Sequence, residues 1–171
     1  MHDDGQVCGA GADACVAALL VGEAGKVYGF DATPAMIAKA RCNAKAAGLL
    51  QVDFREADMI DLGVPAAIAD VVISNGAINL APDKSKVFAE VFRILRRNGR
   101  FHFADMVREH AAAGACSSGN AWANCTSGTL GVDAIKAMLH EAGFEAVELV
   151  ELTRYRTSSA TVGATFRARK P

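Results

Sequence analysis

Apolar and polar positions along the chain change period several times, and the changes divide it into short strands and helices. "KVYGFD" (Lys26 to Asp31) is an apolar run closed by an acid and reads as a buried parallel strand. "ATPAMIAKARCNAKAAG" then takes helical spacing, with Thr33 as a cap, Pro34 in the first turn and Gly48 at the end. "QVDFREAD" and "ADVVISN" read as two further strands, separated by the irregular piece "MIDLGVPAAI". "PDKSKVFAEVFRILRRNGR" predicts an amphipathic helix carrying Val87, Val91, Ile94 and Leu95 on one face and stopped by Gly99. Its arginines Arg96, Arg97 and Arg100 are expected at the helix's negative pole. "FHFADMV" follows as a strand, and "VDAIKAMLHEAG" as a last helix. "FEAVELVELTRYR" and "ATVGATFRARK", joined at "TSS", predict a closing antiparallel hairpin.

Strands alternating with helices predict an α/β fold, a parallel sheet flanked by helices, and the 171 residues suit one domain over 1–171. Hydrophobic residues make up 51% and aromatics 6%, so the expected core is aliphatic and alanine-rich. Residues 108 to 129, rich in Gly, Ala and Ser around Trp122, predict a long functional loop. The net charge of −1 and the scattered basic residues argue against nucleic acid. No run of about 18 apolar residues and no secretory leader is found, so a cytoplasmic protein without a membrane partner is expected. The odd cysteine count (Cys8, Cys15, Cys42, Cys116, Cys125) fits free thiols in a reducing compartment.

The chemistry begins at "VCGAGADACVAALLVG". Gly9 and Gly11 form a turn that brings backbone close to a ligand, and the following helix aims its N-terminal N–H groups there. Asp31, at the tip of the next strand, suits a carboxylate that accepts both hydroxyls of a ribose. An adenosine-type cofactor follows from the pair. "GAGADA" also fits a dinucleotide turn, but no Tyr-x-x-x-Lys pair and no second domain follow it. Asp58 in "EAD" is placed to face an adenine amino group with Met59 against the ring, while Ser74 and Asn75 close the fourth strand beside the presumed transfer site.

Within this frame "LVGEAGKVYGFDATPAMIAKARCNA", "DVVISNGAINLAPDKSKVFAEVFRILRRNGRFHFAD" and "WANCTSGTL" resemble arsenite methyltransferases, segment by segment and in the same order, from about Val7 to near Phe144. The resemblance implies a Rossmann-like class I methyltransferase fold with S-adenosylmethionine as cofactor and a small-molecule, thiophilic acceptor. It implies that Gly9, Gly11 and Asp31 hold the methionine and ribose parts, Asp58 and Met59 the adenine, that Asn75 borders the transfer site, and that Cys125 binds arsenic. Soft thiolate sulfur suits such a centre, and excluding water frees its lone pair for attack.

The chain departs from the family at two places. Gly76 stands where the family has a second arsenic-binding cysteine, and Val7 where it has its first glycine. The family's central first strand is reduced to about Gly5 to Gly9, which would leave neighbouring strand edges short of a partner. A short strand filling the gap is the expected outcome, with direct pairing of the flanking strands or a homodimer as the others. The alternative function is a non-catalytic methyltransferase-like domain that self-associates.

Overall fold

A computed structural model describes residues 10–109 and 128–171. It divides at Gly63/Val64 into two compact units.

The first unit holds α1 (Ala12–Val21), β1 (Val27–Asp31), α2 (Pro34–Ala46) and β2 (Val52–Glu56). β1 and β2 pair in parallel, Asp31 lying opposite Glu56, so both carboxyl ends emerge side by side. The core is built from Ala14, Ala18, Ile37, Ala40, Ala44, Leu49 and Phe54, the aliphatic and alanine-rich packing that composition predicts. Alanines at i and i+4 on α1 and on α2 let the helices sit close to the strands. α1 is apolar nearly all round, and Val16, Leu19, Leu20 and Val21 remain exposed. Thr33 caps α2 through its backbone carbonyl, which accepts the Met36 and Ile37 N–H groups, while its hydroxyl makes no capping bond.

The second unit begins with β3 (Ala69–Asn75), a single 3₁₀ turn (Ile78–Leu80) and α3 (Lys84–Ile94). β4 (Leu95–Arg108), α4 (Val132–Glu141), β5 (Glu145–Ser158) and β6 (Thr161–Arg169) complete it. Its sheet runs β3-β4-β6-β5: β3 and β4 are parallel, and the β5–β6 hairpin joins antiparallel to β4. The hairpin expected from the sequence is thus present. The second core adds aromatic rings to an aliphatic majority such as Val87, Ile94, Leu95 and Leu139: Phe88, Phe101, Phe144 and Phe166 are fully buried, and Phe103 stacks on Phe101 and Phe166 at 4.7 and 4.9 Å.

One expected boundary is corrected. The helix stops at Ile94, not at Gly99, because Leu95 turns extended, buries its side chain fully and pairs with Ala69 across the sheet. Asn98, at φ +63°, then carries the chain round into the regular ladder. Arg96 consequently leaves the helix pole, and its Nη1 donates to both carboxylate oxygens of Asp70 at 2.8 and 2.9 Å. The cation at the pole is instead Lys170, whose Nζ donates to the carbonyls of Phe92 and Leu95 at 2.7 and 2.9 Å.

The short strand expected at Gly5 to Gly9 lies outside the described residues.

Candidate functional site

In the first unit the site residues gather at the carboxyl ends of the parallel strands, where open parallel sheets take their ligands. Asp31 is 3% exposed at the end of β1. Its Oδ1 accepts the Thr33 N–H at 2.8 Å, and its backbone carbonyl accepts the Ala57 N–H at 3.1 Å. The first bond orients the carboxylate at the strand tip; the second ties that tip to the turn carrying Asp58 and Met59. Asp58 is exposed and shapes the turn: its Oδ1 accepts the Ile60 N–H at 3.2 Å and its carbonyl the Asp61 N–H at 3.0 Å. Met59 is half-buried beside it.

Gly11 caps α1 with φ +82° and ψ 14°, a conformation that favours glycine. A Cβ there would stand 2.8 Å from Phe54 Cζ and 2.9 Å from Ala40 Cβ, so the turn presses directly onto β2 and α2. Asn43, which sequence reasoning passed over, steadies it by donating from Nδ2 to the Ala10 carbonyl at 2.9 Å. A lone amide on a helix face carries no signal of a partner 33 residues away.

The fit to an adenosine-type cofactor rests on this geometry. An acid buried and oriented at one strand tip, a second acid with an adjoining methionine at the next, and a glycine turn opening a helix are the groups a ribose, an adenine and a carboxylate tail require.

In the second unit, Ser74 is half-buried and Asn75 exposed at the end of β3, with Asn75 in register with Ala104. Gly76 has φ +67°, donates its N–H to the Ala104 carbonyl at 2.9 Å, and has open space where a Cβ would lie. The cysteine expected by resemblance at this position would have room, but on a backbone that L-residues disfavour.

Just beyond lies a buried polar cluster. Asn79 donates from Nδ2 to Asp105 Oδ1 at 2.6 Å and to the Met106 carbonyl at 2.7 Å, and from its backbone N–H to Asp105 Oδ2 at 2.9 Å. Lys84 Nζ donates to the Ala81 carbonyl at 3.2 Å and reaches the Asn79 carbonyl at 3.5 Å. Burial pushes the Asp105 carboxyl up, against the pull of the Asn79, Met106 and Ile78 N–H groups and the Lys84 charge. Burial likewise pushes the Lys84 ammonium down, with Asp105 opposing. In the sequence Asp105 closes the strand "FHFAD", placed for a site or for capping the following loop, and Asn79 carries no signal of a role.

His102 points away from the buried Phe101 and Phe103, as their alternation predicts, and is half-buried. Burial first, then Arg100 and Arg167, hold its pKa below the ordinary 6.5. Folding therefore favours the neutral ring: its contribution to stability is complete above pH 6.5 and is lost as pH falls through the lowered folded-state value. Thermal melts from pH 7.5 to 5 should show the wild type losing stability more steeply than His102→Gln below pH 6.5; parallel curves would remove His102 from the account.

His140 is exposed at the end of α4, its Nδ1 3.1 Å from the Phe144 carbonyl. Gly9, Cys116, Trp122 and Cys125 lie outside the described residues; of the cysteines described, Cys15 is half-buried and Cys42 exposed. No helix among the described residues is long and apolar enough to cross a membrane.

Comparison with known proteins agrees with this geometry. A family described as a methyltransferase domain matches residues 7–143. An arsenite methyltransferase of Halobacterium salinarum is 39% identical over 175 residues, covering 95% of this chain and 45% of that protein. One from Aquipseudomonas alcaligenes is 32% identical, covering 84% and 44%. The crystal structure of CrArsM, an arsenic(III) S-adenosylmethionine methyltransferase from Chlamydomonas reinhardtii, superimposes with a TM-score of 0.76 at 28% identity, covering 95% of this chain and 60% of that one. The chain spans less than half the length of these two curated relatives. With its strand-tip acids, its glycine-capped helix and its closing hairpin, the chain has the class I methyltransferase fold and belongs to the methyltransferase-domain family.

Proposed function

We propose that this chain is an S-adenosylmethionine-dependent methyltransferase of the arsenite methyltransferase type, acting in the cytoplasm on a small thiophilic acceptor. The observation that carries the reading is the placement of Asp31 and the Asp58–Met59 turn on adjacent strand tips, joined by the Ala57 N–H to Asp31 carbonyl bond. Residues 7–143, the span of the family match, cross the Gly63/Val64 boundary, which supports treating the two units as one methyltransferase domain.

When bound, S-adenosylmethionine supplies a sulfonium methyl that passes to an acceptor lone pair, the carbon–sulfur bonding pair remaining on sulfur. Asp31 accepts the ribose hydroxyls, Gly9 and Gly11 let the turn approach the methionine part, and Asp58 accepts from the adenine amino group against Met59. Asn75 borders the acceptor, and Cys125 binds it as a thiolate. With Gly76 in place of a family cysteine, the proposed class is a thiophilic small molecule, of which arsenite is one member.

Isothermal titration with S-adenosylmethionine and with its demethylated product, followed by methyl-transfer assays on arsenite and small thiols, tests the reading. Saturable micromolar binding of both ligands is expected. Absence of heat and of any thermal shift at millimolar ligand would refute it. A homodimer is part of the proposal, and a monomeric mass by light scattering on the same sample would dismiss it.

A further inference from the structure

The Asn79–Asp105 cluster is unused by the proposed chemistry, yet it sits one turn beyond Asn75. Asp105 is 7% exposed and Asn79 4%, and both Asp105 oxygens accept from Asn79, with the Met106 N–H adding a further bond at 2.7 Å. A buried carboxylate is a costly fastening where an apolar pair would pack as well, so what it adds is a single defined geometry. That geometry is the path of the chain from Asn75 to Leu80. Gly76 is bonded to the Ala104 carbonyl at one end, and Asn79 is bonded to Asp105 and Met106 at the other, so the segment is pinned twice to consecutive residues of β4. Lys84 draws in the carbonyl side of the same turn at Ala81.

We propose that Asp105 and Asn79 are positioning residues, a clamp that sets the Asn75–Gly76 turn at the carboxyl end of β3 and so orients the acceptor side of the transfer site. This rests on the methyltransferase reading for what the turn does, and on the hydrogen bonds alone for how it is held. Neither side chain touches the reacting atoms; each acts through the backbone it fixes.

The test compares wild type with Asp105→Asn, which keeps the shape but sets an amide against the Asn79 donors, and with Asn79→Ala, which carries the test should the first variant not fold. Amide exchange over Gly76–Leu80 should quicken about tenfold or more while the Phe101–Phe103 amides of β4 stay protected. Cofactor affinity, read by titration, should stay within about twofold, and the acceptor KM within about threefold, while kcat falls about 10- to 100-fold. Exchange that is unchanged in the turn, or that rises equally through β4, would overturn the clamp. Local exchange with an unaltered kcat would overturn its positioning role. A wild type that neither binds cofactor nor transfers methyl would instead defeat the methyltransferase reading, and the exchange contrast alone would then uphold or overturn the clamp.

Discussion

An Asp31→Ala variant is expected to bind S-adenosylmethionine about 100-fold more weakly than the wild type, equivalent to about 2.7 kcal/mol. Two ribose hydroxyls donating to one carboxylate are enough for a loss of at least this size, since hydrogen bonds to charged groups contribute about 1.5–3 kcal/mol each. The carboxylate is oriented by the Thr33 N–H at 2.8 Å and is nearly excluded from solvent. Alanine also strips the turn into α2 of its acceptor, at about 1 kcal/mol of stability. Asp31→Asn separates the two effects: it keeps an oxygen for Thr33, so its melting temperature should stay near wild type while its affinity drops. Titration calorimetry on both variants reads the result, and wild-type affinity in Asp31→Ala would reduce Asp31 to a residue that only shapes the entry to α2.

Gly11→Ala should cost about 2–4 kcal/mol of stability, more than any other glycine-to-alanine change at a helix end in the first unit. Two penalties combine. The positive φ of 82° strains any L-residue, and the new methyl would lie 2.8 Å from a ring carbon of buried Phe54 and 2.9 Å from the fixed Cβ of Ala40. Gly48, which closes α2, provides the control, with φ +70°, a Leu49 N–H to Ala44 carbonyl bond across the turn and nothing within 4 Å of a Cβ, so its alanine variant carries the left-handed strain alone, about 1–2 kcal/mol. Urea unfolding of the two variants should separate them clearly. Equal losses would show that close approach at Gly11 contributes nothing.

The features legible in the sequence were those carried by local pattern. β1, with Asp31 at its tip, follows from an apolar run ending in an acid, and the closing hairpin from two β-like runs about a polar turn. Features that depend on distant partners were not legible. The end of α3 is decided by Ala69, which draws Leu95 into the sheet although Leu95 continues the helical spacing. Asn79 and Asp105 are 26 residues apart, and nothing in "INLAPDK" announces that its asparagine will be buried against a carboxylate on β4. Composition predicts the aliphatic and alanine-rich majority of the buried residues but not where the few aromatics fall. The low aromatic fraction is an average over the chain, whereas Phe88, Phe92, Phe101, Phe103, Phe144 and Phe166 all fall in the second unit.

That unequal sharing of phenylalanine has a consequence for how ligand and fold depend on each other. Alanine side chains bury little surface, so the unit around β1 and β2, whose core holds one phenylalanine, is expected to open more readily than the unit that holds five buried ones, a difference that amide exchange measures. Asp31, Asp58 and Gly11 all belong to that first unit. The cofactor proposed to grip them would bind only its closed form, so its free energy of binding would also keep this part of the protein shut. Cofactor supply and structural integrity are then governed by one equilibrium.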